Sequence, residues 1–205
     1  MVSFLINVIL GMQIMNYMVI VPEIILNTFK EYPYLHSPTI EEKKDYIGWF
    51  ARHKKSMLVV STKDEKIAGF ITGIPMKALR DYIPSIEDLC TKNSIKIKDC
   101  YYCGDVIVLP DFQKQGVCSA LFSAFENKVA SMGYKCISLI TSVREADHPL
   151  KPKNYRDPEA IWEHYGFRKT SLVITNMQPT VIDAAGTVKD IENSFIFWVK
   201  EIQST

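Results

Sequence analysis

The sequence lacks a surplus of charge of either sign, with 24 Lys and Arg against 23 Asp and Glu in 205 residues. Nucleic-acid-binding domains usually carry a basic excess or a basic stripe, so this balance argues against a nucleic-acid partner. A small anionic ligand stays compatible, because a few local groups can hold a phosphate. The sequence also lacks internal repeats and a Gly- or Ser-rich linker. We therefore expect one domain, residues 1–205, built around a single core.

Cysteines are few and odd in number, five in the whole chain, and they lie in apolar sequence. This usage favours buried thiols in a reducing compartment, and hence a cytoplasmic location, over a disulfide framework. Cys100 and Cys103 form a single C-x-x-C motif, without the second pair or the histidines that would complete a zinc site. We expect no bound metal.

No charged residue occurs between Val2 and Pro22, a length close to what a membrane-spanning helix needs. Polar residues and a glycine interrupt this run, and no basic residue precedes it as in a signal peptide. We expect residues 1–22 to belong to the fold, as a buried helix or strand followed by a strand near Tyr17–Val21. A membrane anchor is the alternative.

In the first half, Thr39 precedes Glu42 by three residues, the spacing of a capping box at a helix start. Two β-rich runs flank the polar turn at 63–65 and predict a β-hairpin. The expected elements are helices over 22–34 and from 39, strands over Ser56–Ser61 and Ile67–Ile74, and a short helix over Ile86–Cys90.

In the second half, apolar residues recur at helical spacing from Val117 to Met132, and Gly133 stands where a helix would end. Strands are predicted over Tyr101–Leu109, Cys136–Thr141, Leu172–Met177 and Phe195–Ile202, with a short helix over Pro158–Tyr165. This order predicts an α/β (α+β) sandwich built on a mixed, mostly antiparallel sheet.

The most informative segment is the turn Gln113–Cys118, which joins a β-branched strand to a helix. The first N–H groups of a helix lack internal partners and, with the helix dipole, form a site for anions. Gly116 would let the backbone approach a bound group closely, and Lys114 adds a positive charge. Neither G-x-x-x-x-G-K-[ST] nor G-x-G-x-x-G is present, so the two familiar phosphate loops are excluded. The turn suits a diphosphate.

These residues resemble the GNAT superfamily of N-acetyltransferases, whose signature is a V-x-V strand followed by [QR]-x-x-G-x-[GA]. Val106 and Val108 match the strand, while Gln113 and Gly116 match the turn. A late helix that ends in Gly-Phe, here at residues 160–167, is a second feature of the superfamily. The motifs lie within residues 101–167, and the order of elements agrees over about 56–200. One departure is Cys118, which stands at the small-residue position.

The resemblance implies a GNAT-like sheet flanked by helices on both faces, and acetyl-CoA as the acyl donor. It implies an N-acetyltransferase that acts on a primary amine of a small molecule or a protein, by direct attack in a ternary complex. Cofactor-binding residues would be Val106, Ile107, Val108, Gln113, Lys114, Gln115, Gly116, Val117, Cys118 and Ser119. A catalytically degenerate module that binds acyl-CoA as a sensor is the alternative. The oligomeric state stays open, with a homodimer as one alternative.

For the chemistry, the resemblance calls for a general base and a general acid. Asp105 is the only acid on the motif strand and is the candidate base, although it could instead cap the strand end. The family often places a tyrosine four residues before the Gly of Gly-Phe, where this chain has Trp162. Tyr165 is therefore the candidate acid, while Trp162 and Tyr155 are candidates for binding the substrate.

Two further hypotheses concern neighbouring residues. A cysteine at a helix N-terminus tends to have a lowered pKa, so Cys118 could form a mixed disulfide with the cofactor's thiol, or could simply pack beneath the loop. The polar segment from Arg144 to Arg156 could contact the acceptor or the adenosine 3′-phosphate through its basic residues, or could be solvated. His148 in that segment is a spare candidate base.

Overall fold

The structure is a computed structural model that describes residues 4–81, 86–92 and 94–202. Its strands are β1 (Leu5–Leu10), β2 (Met57–Lys63), β3 (Lys66–Pro75), β4 (Cys100–Val108), β5 (Cys136–Val143), β6 (Arg168–Val181) and β7 (Val188–Glu201). Its α-helices are α1 (Ile20–Phe29), α2 (Ile40–Arg52), α3 (Ile86–Lys92), α4 (Val117–Ser131) and α5 (Glu159–His164). Short 3₁₀ segments cover Gly11–Tyr17, Met76–Asp81, Ile97–Asp99 and Pro110–Phe112.

The strands form one sheet in the order β1-β2-β3-β4-β5-β7-β6. Within the described residues, β4 and β5 are the one parallel pair, and all other neighbours are antiparallel. That parallel pairing is short, because it joins only Cys100–Tyr102 to Cys136–Ser138. Beyond it, β4 continues along β3 to Val108 and β5 continues along β7 to Val143. The two central strands therefore diverge, and a gap opens between their C-terminal halves.

Helices cover both faces of the sheet. On one face, α4 buries Leu121, Phe125 and Val129 against the strands, and α5 adds Trp162 to the same cluster. On the other face, α1 and α2 bury an apolar side against Phe70 and Ile107. Burial of these large side chains supplies the main favourable free energy of folding. The predicted mixed α/β fold with a mostly antiparallel sheet is confirmed.

Several local predictions are also confirmed. The capping box is present, since Glu42 N–H donates to Thr39 Oγ1 at 3.2 Å and Thr39 N–H donates to Glu42 Oε2 at 2.6 Å. The hairpin forms as β2 and β3, and α4 begins directly after Gly116 and ends just before Gly133. The last two strands are longer than predicted, 14 residues each, because their exposed polar positions hide the strand pattern.

The strand expected near Tyr17–Val21 is wrong. Gly11 has φ 52° and ends β1, and a 3₁₀ segment then leads into α1 at Ile20. Pro22 lies in the first turn of α1, where a missing N–H costs nothing. Residues 4–22 thus contribute the edge strand β1, a 3₁₀ segment and the first turn of α1. In the part of the chain that the structure describes, no helix has the length and apolar composition needed to cross a membrane.

The expectation of buried thiols is wrong for two of the five cysteines. Cys100 and Cys136 form a disulfide with a Cα–Cα distance of 4.6 Å, where β4 and β5 are paired. These cysteines are 36 residues apart in sequence, and only the parallel strand pairing brings them together. Cys90 and Cys103 are buried free thiols, while Cys118 is partly exposed.

Candidate functional site

The turn after β4 has an unusual backbone. Lys114 has φ 59° and Gly116 has φ 82°, so both lie in the left-handed region. A lysine there is strained, and such strain persists where the surroundings impose it, often at functional sites. Gln113 supports the turn, since its Nε2 donates to the Val108 carbonyl at 3.2 Å. The result is a sharp reversal that starts α4 at Val117.

The backbone N–H groups of Gly116, Val117, Cys118 and Ser119 donate to no protein acceptor among the described residues. The first helical bond comes one residue later, from Ala120 N–H to the Gly116 carbonyl at 3.0 Å. A Cβ added at Gly116 would meet no heavy atom within 4 Å, so the space beside the turn is open. These unpaired N–H groups at the positive end of the helix dipole fit a diphosphate.

The backbone groups of β4 alternate between the edge that pairs with β3 and the edge that faces the gap. Asp105 N–H donates to Thr72 Oγ1 on β3, and Leu109 N–H donates to the Ala68 carbonyl on β3. Backbone groups of alternate residues point to opposite sides of a strand, so those of Val106 and Val108 point towards β5. β5 has already diverged there, which leaves a free strand edge beside the turn.

A cavity of about 530 Å³ lies where this gap meets α1, α2 and the last strands. Such a volume is typical of sites for small molecules. Asp105 and Val106 from β4 line it, together with residues of α2. Its walls are rich in aromatic rings, among them Phe29, Tyr34, Tyr46, Trp49, Trp162 and Phe195.

The sequence of this chain matches the model of the acetyltransferase (GNAT) family over residues 23–151. The chain belongs to this family. The predicted resemblance is thereby confirmed, and acetyl-CoA is the acyl donor that GNAT acetyltransferases use.

Solved structures support the GNAT fold over nearly the whole chain. A GNAT-family acetyltransferase described as putative, from Desulfovibrio desulfuricans, has a TM-score of 0.59 and 14% identity, with 98% of this chain and 100% of that chain covered. A putative acetyltransferase from Salmonella typhimurium, solved with its cofactor acetyl-CoA, has a TM-score of 0.61 and 10% identity, with 98% and 95% covered. The ribosomal-protein-S18-alanine N-acetyltransferase of Escherichia coli has a TM-score of 0.57 and 14% identity, with 99% and 96% covered. No curated protein matches the chain.

Asp105 is buried at the cavity, with 5% of its surface exposed. Its Oδ2 accepts hydrogen bonds from Thr72 Oγ1 at 2.8 Å and from Tyr46 OH at 3.2 Å. Burial raises the pKa of the Asp105 carboxyl, while the nearby Lys43 charge and the two hydroxyl donors lower it by less. A carboxyl with a raised pKa is a better proton acceptor than an exposed one.

Lys43 and His36 line the same cavity, although no sequence motif points to either residue. Burial lowers the pKa of Lys43, and the Asp105 charge partly opposes this effect. Burial and the Lys43 charge lower the pKa of His36 to about 4, so its ring is neutral at physiological pH. The His36 Nδ1 lies 3.2 Å from the Pro179 carbonyl, which requires Nδ1–H as donor and leaves Nε2 as an acceptor.

The structure places Tyr165 at the first turn of α4. Its hydroxyl lies 3.1 Å from Ser119 Oγ, and its ring stacks on Phe122 at 4.4 Å between centroids. Burial raises its pKa, so the hydroxyl keeps its proton at neutral pH. Trp162 instead lines the cavity, and its Nε1–H has no hydrogen-bond partner among the described residues. Tyr165 is therefore near the start of α4, while Trp162 is at the cavity.

Tyr155 lines a separate cavity of about 330 Å³, where its ring packs edge-on against Tyr32 at 4.6 Å. Arg144 lines that cavity too, and it donates through Nε to the Pro33 carbonyl at 2.7 Å and through its other nitrogens to Tyr34 and Asn193. Arg144 thus ties the segment after α1 to β7. The structure does not bring Tyr155 into the cavity that holds Asp105.

Of the two hypotheses for Cys118, packing beneath the loop agrees with the structure and a lowered pKa does not. Burial raises the pKa of this thiol, and a hydrogen bond with Tyr165 lowers it by less. The Cys118 side chain packs against the core cluster under α4, and this burial is the cause of the raised pKa. His148, the spare base, is not among the residues that line the larger cavity. Its ring is tilted against that of Tyr32 at 5.7 Å between centroids, and its Nδ1 accepts from Leu150 N–H.

Proposed function

We propose that this GNAT protein transfers the acetyl group of acetyl-CoA to the primary amine of a small molecule, with both substrates bound at once. The observation that carries this proposal is the arrangement of three features. The free N–H groups at residues 116–119 adjoin the free edge of β4 at Val106 and Val108, and Val106 also lines the cavity that holds Asp105.

Acetyl-CoA supplies the acetyl group as an activated thioester. The N–H groups of Gly116, Val117, Cys118 and Ser119 would hold its diphosphate, with Lys114 and the side chains of Gln113 and Gln115 at the edge of the turn. The backbone of Val106 and Val108 would pair with the pantetheine arm, as a further strand would. Their N–H groups are also the candidate donors to the negative charge that develops on the carbonyl oxygen. Ile107, between them, faces β3.

Asp105 is the proposed general base, because it lies at the cavity with a raised pKa. It would take the proton that the attacking amine must lose. His36 is the second candidate, since its neutral ring lines the same cavity and has Nε2 available as an acceptor. Its pKa of about 4 makes His36 a weaker base than an ordinary histidine, whereas burial makes Asp105 a stronger base than an ordinary aspartate. We therefore favour Asp105.

Tyr165 is the proposed general acid for the departing thiolate. Its hydroxyl is protonated at neutral pH and lies 3.1 Å from Ser119 Oγ, where the end of α5 meets the first turn of α4. Trp162 cannot donate a proton at any accessible pH, so its proposed role is to wall the acyl and acceptor side of the cavity.

The size and the aromatic lining of the cavity favour a small-molecule acceptor over a protein one. A protein amine would have to enter past aromatic walls formed by α1, α2 and β7.

The alternative is an acyl-CoA-binding module without activity. Two features would favour it: the Trp at the usual tyrosine position, and the hydrogen bond that holds Tyr165 on Ser119. For either function we propose a cytoplasmic location, where acetyl-CoA is made and used.

Two measurements on the same preparation separate these functions. Calorimetric titration with CoA tests the binding site, and thiol release from acetyl-CoA over a panel of primary amines tests transfer. The proposed enzyme binds CoA and releases thiol with at least one amine class. Tight binding without amine-dependent release across the panel would favour the module, and absence of CoA binding would contradict both.

A further inference from the structure

Lys43 is a cation inside the aromatic part of the acceptor cavity. Its Nζ lies 5.6 Å from the centroid of the Phe29 ring and 5.8 Å from that of Tyr46, and both rings line the cavity. Its charge also affects the pKa values of His36 and Asp105, two further lining residues. The ammonium group is therefore near the cavity contents rather than turned out to bulk water.

No carboxylate oxygen lies within 4.0 Å of the Lys43 Nζ among the described residues. The adjacent Glu42 carboxylate binds Thr39 instead, because its Oε2 accepts from Thr39 N–H at 2.6 Å and from Thr39 Oγ1 at 3.1 Å. The Asp105 carboxyl interacts with the Lys43 charge, but its hydrogen bonds are with Thr72 and Tyr46, both through Oδ2. A partly buried ammonium group usually has an anionic partner, because removing it from water is costly.

We propose that the acceptor is a primary amine that also carries a carboxylate, and that Lys43 binds this carboxylate. The inference rests on the proposed acetyl transfer and names its substrate class. Asp105 would then accept the proton that the amine must lose, and Lys43 would bind the carboxylate. The aromatic side chains that line the cavity, among them Phe29, Tyr46, Trp49 and Phe195, suit an apolar or aromatic body.

The acceptor class is thus that of amino acids with apolar or aromatic side chains. A polyamine fits less well, because a second ammonium group would lie close to the like charge of Lys43. Met177 and Gln178 also line the cavity and leave part of its wall uncharged.

Matched pairs of acceptors test the proposal with the full chain. L-phenylalanine is compared with 2-phenylethylamine, and L-leucine with 3-methylbutylamine, by thiol release from acetyl-CoA. We expect kcat/KM for each amino acid to exceed that of its decarboxylated partner by roughly 10- to 100-fold, the value of one hydrogen bond to a charged group. Lys43→Met should remove this preference, and Lys43→Arg should keep much of it.

Lys44→Met is the matched control, since Lys44 is the next residue of α2 and is exposed. It should leave both the rates and the preference unchanged. The melting temperature of each variant shows whether the fold is intact. Equal rates for the members of both pairs, or a preference that survives Lys43→Met, would overturn the proposal while leaving acetyl transfer in place.

A binding measurement separates this inference from the proposed function. Titration of L-phenylalanine and L-leucine into the protein saturated with CoA should show binding that weakens about 10- to 100-fold in Lys43→Met. If no amine is acetylated but this Lys43-dependent binding is present, the enzyme assignment fails and the ligand class stands. If neither amino acid binds in a Lys43-dependent way and neither is acetylated, the ligand class is overturned.

Discussion

Asp105 and Thr72 form a reciprocal pair across β4 and β3. The Thr72 hydroxyl donates to Asp105 Oδ2 at 2.8 Å and accepts from Asp105 N–H, also at 2.8 Å. Gly104 makes this approach feasible, because a Cβ there would lie 2.7 Å from Thr72 Oγ1 and 3.1 Å from the Tyr46 hydroxyl. The pair fixes the carboxyl at the cavity wall, where the proposed base must be.

Replacement of Asp105 by asparagine tests that role. The amide keeps the size and an acceptor oxygen but cannot take a proton, so we expect kcat to fall by about 10²- to 10⁴-fold. The CoA dissociation constant, measured by calorimetry, should change little because Asp105 faces β3 and not the diphosphate turn. His36→Gln is the comparison variant, and a larger loss of kcat there than in Asp105→Asn would make His36 the base.

The raised pKa of Asp105 also predicts how pH affects activity and stability. The base acts when ionised, so kcat should rise with pH through a pKa above the ordinary range of an aspartate. The folded state binds this proton more tightly than the unfolded state, so stability is lost as pH rises from the ordinary pKa through the folded pKa. The melting temperature of Asp105→Asn relative to the parent should therefore increase over that interval. A constant difference between pH 4 and pH 8 would argue against the raised pKa.

Replacement of Tyr165 by phenylalanine tests the proposed acid. The ring stack on Phe122 can remain while the hydroxyl near Ser119 is lost, so the fold should persist. We expect kcat at pH 7 to fall by about 10²-fold, the lower range for general acid catalysis, with little change in KM for acetyl-CoA. Tyr155→Phe is the matched control, because that hydroxyl belongs to the separate cavity. Equal effects of the two variants would remove Tyr165 from the chemistry.

The thiol of Cys118 should be a slow nucleophile. Its pKa is raised by burial, so little thiolate is present at neutral pH and alkylation by iodoacetamide should be slower than that of free cysteine. Bound acetyl-CoA should slow the reaction further, because Cys118 lies in the proposed diphosphate turn. Peptide mass analysis over time measures both effects. Cys118→Ala serves as control, since Cys90 and Cys103 are buried and should not react in the folded protein. Alkylation as fast as that of the free amino acid would show a lowered pKa.

The parts of the site that the sequence predicts are those encoded locally. Gln113 and Gly116 stand within a few residues of each other, and their types reflect the turn geometry that they adopt. The capping box at Thr39 and the end of α4 before Gly133 are likewise readable, because each depends on residues one helical turn apart.

The parts that the sequence does not predict arise from packing between distant segments. Thr72 reaches Asp105 through the pairing of β3 with β4, and Lys43 on α2 looks in sequence like an ordinary surface lysine. Cys136 meets Cys100 through a parallel pairing that no local pattern announces. The sequence feature that marks Lys43 is its position directly after the capping Glu42. That feature indicates a site only once α2 is known to pack over the gap.

We propose that the N–H groups at the start of α4 bind the diphosphate of acetyl-CoA. Gly116→Leu and Gly133→Leu test it most directly, because both glycines have a positive φ, 82° and 83°, and neither Cβ would meet an atom within 4 Å. They stand at opposite ends of α4, so each leucine should cost a similar strain of about 1–2 kcal/mol in stability. Calorimetric titration with CoA should show the dissociation constant raised by at least about 100-fold in Gly116→Leu and unchanged in Gly133→Leu. Parent-like CoA binding by a folded Gly116→Leu protein would contradict the account.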